Sequence, residues 1–489
     1  MASGTRPTRP PSGTESVAGA GDASAPTPPP TAETLRPGPD AQDLYGLTPE
    51  LIRVIRAALE DEDLARVEAL VVPLHAADMA DLLEMVSADE RRLIVDLLRP
   101  DFDPDILAEL DEAVRDEIVG QLDTHEIAAA FAQLDSDDAL YLIEDLDEAE
   151  RREVLEAVPA ADRAWAEQSL SYPENSAGRL MQRELVSIPA YWTVGQTIDY
   201  LRSAEDLPDE FYDLYIVDPD HVPAGYVPLS RAIRTRRPVL MSDIMDPEPR
   251  TIRADEDQED VAYLFEQYDL VSAPVVDDTG RLIGVITVDD VVEVIGEEAE
   301  EDIMRLGGVI ETDLHEPAWR TTRRRFVWLL VNLATAILAS MVIGLFDASI
   351  EQMVALAVLM PIVASMGGNA GTQTLTVTVR ALATKDVTPA NTLRLIGKEG
   401  VVGFANGILF AIITGAVTVV WFGQPMLGGV IAAAMVINMV VAGLSGILIP
   451  LGLDRVGVDP AIAATVLLTT VTDIVGFFVF LGLAALVLL

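Results

Sequence analysis

The sequence contains no cysteine, only 4 histidines and only 6% aromatic residues. Without cysteine there is no disulfide, no thiol nucleophile and no thiolate metal site. The histidines, at positions 75, 125, 221 and 315, follow no metal-ligand spacing, so hard oxygen ligands remain for any bound metal. No nucleophile and base pair, phosphate-binding loop or catalytic histidine arrangement is recognisable, and the sequence therefore predicts a protein that is not an enzyme.

Basic residues are also scarce, since 33 lysines and arginines stand against 79 acidic residues and the formal net charge is −46. The imbalance is confined to the first part of the chain. Residues 1–319 contain 24 basic and 72 acidic residues, whereas residues 320–489 contain nine and seven. Repulsion from phosphates argues against a nucleic-acid partner, and cations are the natural partners of such a surface. A generic role in solubility or salt adaptation is the alternative.

The chain is predicted to be multidomain, and its first part is a tail followed by helices. Residues 1–43 are rich in proline, alanine and glycine, which is typical of a disordered segment, and they lack the apolar core of a signal peptide. From 44 to 172, short apolar helical patterns recur about every 12 to 15 residues. We therefore predict an acidic, all-α superhelical N domain, with acid clusters such as Asp137 and Asp138 on its helices.

Two related segments follow, residues 173–239 and 240–296, and each predicts the order strand, helix, strand, turn, strand, helix. In the second segment, the run DDTG predicts a hairpin turn. Both segments resemble cystathionine-β-synthase (CBS) domains, so we expect an α/β tandem CBS pair. The resemblance places Thr287 and Asp290 where that family often holds a ribose and a phosphate, which would make ATP a ligand of the pair. The first segment has no matching aspartate, and a pair that folds without ligand is the alternative.

Apolar segments dominate the rest of the chain. After a predicted linking helix at 297–319, an all-α membrane domain is expected at 320–489. Its five segments that are long enough to span a bilayer lie at about 326–346, 353–379, 401–422, 427–452 and 461–489. Basic residues precede the first span and follow the second and the fourth. The positive-inside rule therefore predicts a multi-pass protein of the cytoplasmic (inner) membrane, with its N-terminus in the cytoplasm and its C-terminus outside.

The second apolar segment contains residues that are unusual at membrane depth. Those that favour an opened helix are Pro361, Gly367, Gly368 and Gly371. A polar helical face overlaps them, formed by Asn369, Gln373, Thr376 and Arg380. Because freed backbone carbonyls are tolerated in a membrane only inside protein or along a watery cavity, we predict an interrupted helix that lines a pore or binding site. The alternative is that the glycines only permit tight helix packing.

The fifth apolar segment contains one carboxylate, Asp473, which would lie near the middle of the bilayer. Burial of a charge there costs about 2.5–3.5 kcal/mol, so the carboxylate is expected to need a partner or a cation. Thr465 and Thr469 share its helical face at a spacing of four residues. A protonated aspartate that bonds to a neighbouring helix is the alternative.

The order of acidic helical domain, CBS pair, linking helix and five spans resembles the MgtE family of magnesium transporters over nearly the whole chain after residue 45. The runs GGNAGTQ, VRALATKD and TTVTD are similar to that family's motifs. One departure is AATV at 463–466, where family members typically keep a serine and a proline. The resemblance implies a membrane-embedded homodimer with one central pore for hydrated Mg2+. The pore residues that it implies are Asp473, Asn369, Gly367, Gly368, Thr469 and Gln373.

The resemblance also implies that the transported ion regulates the pore. Mg2+ bound to the acidic cytoplasmic domains would draw them together and let the linking helix close the path. The residues expected to bind this regulatory cation are Asp290, Glu293, Glu298, Glu301, Asp302, Asp137 and Asp138. The predicted function is import of Mg2+ down its electrochemical gradient, shut off by intracellular Mg2+. Transport of another divalent cation, such as Co2+ or Mn2+, and a non-conducting membrane-anchored CBS sensor are the alternatives.

Overall fold

The computed structural model describes residues 46–204, 207–208, 211–309 and 318–488. The predicted tail at 1–43 and residues 310–317 of the predicted linking segment lie outside the described residues. Contacts divide the chain into two compact units, of which the first ends at Leu110 and the second begins at Asp111. This division falls inside the predicted N domain.

The first unit consists of short helices whose N-termini are capped by polar side chains. Thr48 accepts a hydrogen bond from the backbone N–H of Leu51 at 3.1 Å, and Ser87 forms a reciprocal capping box with Glu90. Apolar side chains such as Ile94 are buried between the helices. The helices are α1 Pro49–Glu60, α2 Leu64–Val71, α3 Ala76–Met85, α4 Ala88–Leu98 and α5 Asp105–Ala108, with a short 3-10 helix at Arg99–Asp101.

The second unit begins with five more short helices: α6 Glu112–Val119, α7 Thr124–Phe131, α8 Ser136–Glu144, α9 Glu148–Ala157 and α10 Ala160–Ser169. The predicted helical character of this region is therefore confirmed. Asp123 and Asp147 cap α7 and α9, so part of the acidic charge has a structural role. Arg115 is fully buried, pairs with Asp145 and lies 3.6 Å from the centre of the Tyr141 ring.

Two small sheets follow, as the CBS resemblance predicts. The elements of the first are β1 Val186–Pro189, α12 Val194–Ser203, β2 Asp213–Val217, β3 Pro223–Pro228, α13 Leu229–Arg234 and β4 Asp246–Pro247. Those of the second are β5 Ile252–Arg253, α14 Gln258–Tyr268, β6 Ser272–Val276 and β7 Leu282–Thr287. In each sheet the first strand pairs parallel to the second, and the second pairs antiparallel to the third. The predicted DDTG turn is confirmed, because it joins β6 to β7 with Gly280 at a φ of +82°.

Strand pairing and core packing cross the predicted boundary at residue 240. Strand β4 follows that boundary but pairs with β3 of the first sheet. In the other direction, Ala177 of the short helix α11 Ala177–Leu180 and the adjacent Met181 fill the core of the second sheet together with Ile252. The chain thus contributes to the core of the second sheet before it forms the first sheet. This exchange depends on long-range packing rather than on local patterns.

The predicted linking helix is likewise not a separate element. A single helix, α15 Val288–Leu306, runs from the end of β7 into the predicted link and includes residues 297–306 of it. The run EEAEED contains good helix formers and no breaker. The helix ends at Leu306, beyond which Gly307 caps it and Gly308 adopts a φ of +74°.

Five long apolar helices complete the described chain, in agreement with the five predicted spans. They are α16 Ala318–Gly344, α18 Ala355–Ala383, α19 Thr392–Phe422, α20 Pro425–Arg455 and α21 Pro460–Val487, with the short helix α17 Asp347–Gln352 after the first. Glycines allow close packing of α19 on α20. A Cβ atom on Gly403 would lie 2.7 Å from the carbonyl oxygen of Met439, and one on Gly415 would lie 3.1 Å from that of Gly428.

The predicted interruption of the second span is wrong, because α18 continues through Pro361 and all of its glycines. Gly367 and Gly371 serve packing instead. A Cβ atom on Gly371 would lie 2.8 Å from the Leu468 side chain of α21. The hydroxyl of Thr372 donates to the carbonyl of Gly368 at 3.0 Å, which keeps that carbonyl bonded within the helix.

Candidate functional site

The polar face of α18 is exposed to solvent in the single chain. The residues predicted to form it, Asn369, Gln373, Thr376 and Arg380, are all exposed. Gly368 lies on the same open side, since a Cβ atom there would meet nothing within 4 Å. Amide side chains at membrane depth are costly in contact with lipid. The face is therefore suited to a water-filled path or to another protein surface.

The opposite side of α18 is held by a residue that the sequence analysis missed. Asn438 of α20 is fully buried, and its Nδ2 donates to the carbonyl of Val363 at 2.8 Å. A side chain on Gly367 would collide with this amide, and a Cβ atom on Gly476 of α21 would lie 3.0 Å from it. Gly367 thus packs towards α20. A lone asparagine within an apolar span was the sequence signal for this contact.

Asp473 lies on α21, half-buried, three residues before Gly476. Within the described ranges, its carboxylate has no hydrogen-bonding or ion-pairing partner. The Thr469 hydroxyl, one turn earlier, donates to the carbonyl of Thr465 at 3.1 Å, so its oxygen can still accept a bond. A half-exposed carboxylate with an acceptor oxygen beside it is a suitable place for a hydrated divalent cation.

The end of α15 packs against the same two helices. Leu306 joins an apolar cluster with Leu375 and Val379 of α18 and Leu468 of α21. The hydroxyl of Thr465 donates to the carbonyl of Leu306 at 3.3 Å. This contact places the end of α15 on α18 and α21, the helices that carry Asn369 and Asp473.

An ion pair strengthens the contact between α15 and α21. Arg305 pairs with Asp459, which caps α21 by accepting a hydrogen bond from Ala461 at 2.7 Å, and also with Glu301 one turn earlier on α15. Glu301, predicted to bind a regulatory cation, is therefore engaged by an arginine. Gly308 lies against Trp328 of α16, with no room for a side chain.

Two of the predicted regulatory residues meet at the junction of the N domain and the CBS pair. The carboxylates of Asp137 and Asp290 are close enough to interact, and Gln182 Nε2 lies 3.5 Å from Asp137 and 3.2 Å from the Thr287 hydroxyl. Burial raises the pKa of Asp137, and the charge of Asp290 raises it further. Thr287 donates to Asp290 at 2.8 Å, so both residues predicted to hold a nucleotide bond to each other. Binding of ATP stays a prediction.

A second acid group lies between α14 and α15 and consists of Glu259, Glu298 and Asp302; we call it the α14–α15 acid group. Partial burial and the charges of Glu298 and Asp302 raise the pKa of Glu259 to about 7. Burial, with Asp459 and Glu298 nearby, raises the pKa of Asp302. The Glu298 carboxylate accepts a bond from Gln258 at 2.8 Å. Sequence reasoning missed Glu259, although the acidic run DEDQED, which extends into the first turn of α14, was a signal.

Two more of the predicted regulatory residues are Glu293 and Asp138, and the charge of Asp138 adds to the raised pKa of Asp137. Glu293 is exposed on α15 near Tyr141, and Asp138 lies in the first turn of α8. In the described part of the chain, no three carboxylate or imidazole side chains converge in a geometry that would hold a metal ion. The acids that do meet can still suit Mg2+, which usually keeps several waters and uses only one or two carboxylates.

Three sequence families match the chain. Residues 360–483 match a family described as a divalent cation transporter, residues 74–175 match the MgtE intracellular N domain, and residues 241–297 match the CBS domain. Together with the five apolar helices, these matches make the chain a multi-pass membrane protein.

Similar proteins agree with these matches. The chain is 29% identical to the magnesium transporter MgtE of Bacillus subtilis, across 89% of this chain and 97% of that protein. Among solved structures, the cytosolic domain of the Mg2+ channel MgtE in complex with ATP is 28% identical, with a TM-score of 0.46 over 50% of this chain and 99% of that chain. The chain is also 31% identical to the magnesium transporter MgtE of Thermus thermophilus, across 89% of this chain and 98% of that protein. The chain therefore belongs to the MgtE family of magnesium transporters.

Proposed function

We propose that this protein imports Mg2+ through a pore in the cytoplasmic membrane and that bound intracellular Mg2+ closes the pore. The observation that most strongly supports a pore is Asp473. This carboxylate lies within an apolar helix and has no partner among the described residues. The N-terminus lies in the cytoplasm and the C-terminus outside, in keeping with the basic residues at the ends of the spans.

The pore lies between two copies of the chain. The open face of α18 exposes Asn369 and Gln373, and a second copy related by two-fold symmetry would cover this face and supply a second Asp473. Two carboxylates facing a shared water shell suit Mg2+, because the ion gives up its waters reluctantly. Asn369, Gln373, Thr469 and the backbone at Gly368 would contact that shell rather than the ion.

The ion flows down its electrochemical gradient. An inside-negative potential contributes about 2.3 kcal/mol per charge per 100 mV, hence about twice that for Mg2+. No nucleotide-hydrolysis motif accompanies the spans. Inward flow therefore needs only an open path.

Closure depends on the contact between Leu306 and the ends of α18 and α21. Without cations, the like charges of the α14–α15 acid group and of Asp137 with Asp290 oppose close packing. Hydrated Mg2+ would bridge these carboxylates, hold α15 in place and keep the pore shut. The raised pKa of Glu259, caused by burial and then by the neighbouring carboxylates, fits this role, because a cation would offset both effects.

Current through inside-out membrane patches, with Mg2+ set on the cytoplasmic side, tests this gate. The double variant Glu298→Ala with Asp302→Ala should conduct but need about fivefold or more Mg2+ for half-closure. The matched control is Glu60→Ala with Glu68→Ala, which removes two exposed acids of the first unit and should close like the wild type. Unchanged closure in the first variant would place the sensor elsewhere.

A further inference from the structure

The second CBS domain contacts the membrane domain at a point separate from the end of α15. Lys385, in the connection between α18 and α19, forms an ion pair with Asp260 of α14. Its Nζ also lies 4.9 Å from the centre of the Tyr263 ring. Asp260 and Tyr263 are three residues apart and share one face of α14. A carboxylate and an aromatic ring thus receive the same ammonium group.

The backbone of Lys385 is in a conformation that favours glycine. Its φ is +53°, it follows the helix cap Thr384, and its N–H donates to the carbonyl of Leu382 at 2.9 Å. This is the left-handed residue that commonly ends a helix. A side chain there is strained, and such strain persists where surrounding contacts hold it. The contacts with Asp260 and Tyr263 are of that kind.

The contact joins the α14–α15 acid group to a pore helix. Asp260 directly follows Glu259, and the two carboxylates are close enough to interact. On the other side, Lys385 lies two residues beyond the end of α18, the helix that presents Asn369. A displacement of α14 can therefore reach α18 without passing through α15.

We propose that Lys385 is a positioning residue that couples the second CBS domain directly to α18, so that docking of Lys385 on Asp260 and Tyr263 completes closure of the pore. The inference rests on the proposed closure by Mg2+ and adds a second connection to it. Each of the two helices in the candidate site then has its own ion pair with the cytoplasmic part: Lys385 with Asp260 for α18, and Arg305 with Asp459 for α21.

The sign of the effect distinguishes coupling from simple electrostatics. Lys385 places a positive charge beside the α14–α15 acid group, so its removal alone would strengthen the attraction of that group for Mg2+. A purely electrostatic role therefore predicts closure at lower Mg2+ after substitution. A coupling role predicts the opposite, because the cation would still bind but would no longer position α18.

The test is the Mg2+ dependence of closure in inside-out patches. Lys385→Ala, Lys385→Gly and Asp260→Asn should each raise the half-closing Mg2+ concentration about fivefold or more. Lys385→Gly removes the backbone strain as well, so a defect in this variant shows that the side chain is needed. Lys385→Arg keeps the charge and should behave like the wild type. The exchange Lys385→Glu with Asp260→Arg should restore most of the closure.

The chain offers a matched control, because Lys398 is its only other lysine. Lys398 is exposed on α19, and Lys398→Ala should close like the wild type. Normal or tighter closure in Lys385→Ala and Lys385→Gly, alongside a wild type that closes, would overturn the coupling role and leave the gate intact. A wild type that ignores cytoplasmic Mg2+ would overturn both the gate and the coupling.

A second measurement examines the contact without transport. Amine-reactive labelling of the purified full-length protein, read by mass spectrometry, compares Lys385 with Lys398 in the same molecule. Saturating Mg2+ should lower the labelling of Lys385 at least about threefold relative to Lys398, since docking occupies the amine. An unchanged ratio in a protein that Mg2+ closes would overturn the proposal.

Discussion

The Nδ2 atom of Asn438 donates a hydrogen bond of 2.8 Å to the carbonyl of Val363, across the interface of α20 and α18. The glycines on either side, Gly367 and Gly476, leave the space that this amide fills. Asn438 therefore sets the rotation of α18, so that Gly367 faces inward and Asn369 faces the open side.

Substitutions at this interface should be non-additive. Gly367→Ala should destabilise the protein by about 1–3 kcal/mol through overpacking, and Asn438→Ala by about 1 kcal/mol through the lost hydrogen bond. In the double variant the smaller side chain at 438 makes room for the new methyl group, so the loss should be less than the sum. Thermal unfolding in detergent measures all three. Strictly additive losses would contradict the proposed collision.

The ion pair of Arg305 with Asp459 should stabilise the closed pore. In Arg305→Ala, Asp459 and Glu301 lose their shared partner, so we expect the half-closing Mg2+ concentration to rise about fivefold. Asp459→Asn keeps the helix cap but removes the charge and should have a similar effect. In inside-out patches, Arg305→Lys should raise the half-closing Mg2+ concentration less than Arg305→Ala does. Wild-type closure in both neutral variants would show that Leu306 alone holds α15.

The raised pKa of Glu259 predicts that stability without Mg2+ falls as pH rises. A carboxyl group whose pKa is raised on folding stabilises the folded protein at low pH, and this contribution is lost as pH rises through its folded value, about 7. We expect the melting temperature to drop between about pH 5 and pH 7 and to level off above that range. The drop should be smaller in Glu259→Gln, which lacks the titrating group, and in saturating Mg2+, which supplies a countercharge. It should also be smaller at high salt, because Glu259 is partly exposed and its charge interactions are screened. An equal drop in the variant would contradict this assignment.

Local patterns were sufficient to predict most of the fold. Apolar length predicts the five spans, and the DDTG run predicts the hairpin that Gly280 turns. The polar spacing of Asn369 and Gln373 correctly predicts one shared face, since a 3.6-residue period depends only on the helix itself.

Features that depend on facing elements were not predictable in this way. The glycines of α18 were expected to open the helix, but only the neighbours Asn438 and Leu468 show that Gly367 and Gly371 permit packing. Glu259 joins Glu298 and Asp302 because α14 lies beside α15, a placement that sequence separation conceals. For the same reason, the sequence did not predict that β4, which follows the boundary at 240, pairs with the first sheet.

The central claim, that Asp473 binds the transported ion, is tested most directly by Mg2+ uptake into proteoliposomes. Asp473→Asn keeps the size of the side chain and removes its charge. The matched control, Asp347→Asn, changes an exposed acid at the start of α17. We predict that uptake in Asp473→Asn falls to the level of protein-free liposomes, while the control and the wild type transport alike and all three elute as the same oligomer. Wild-type uptake by Asp473→Asn would contradict the account.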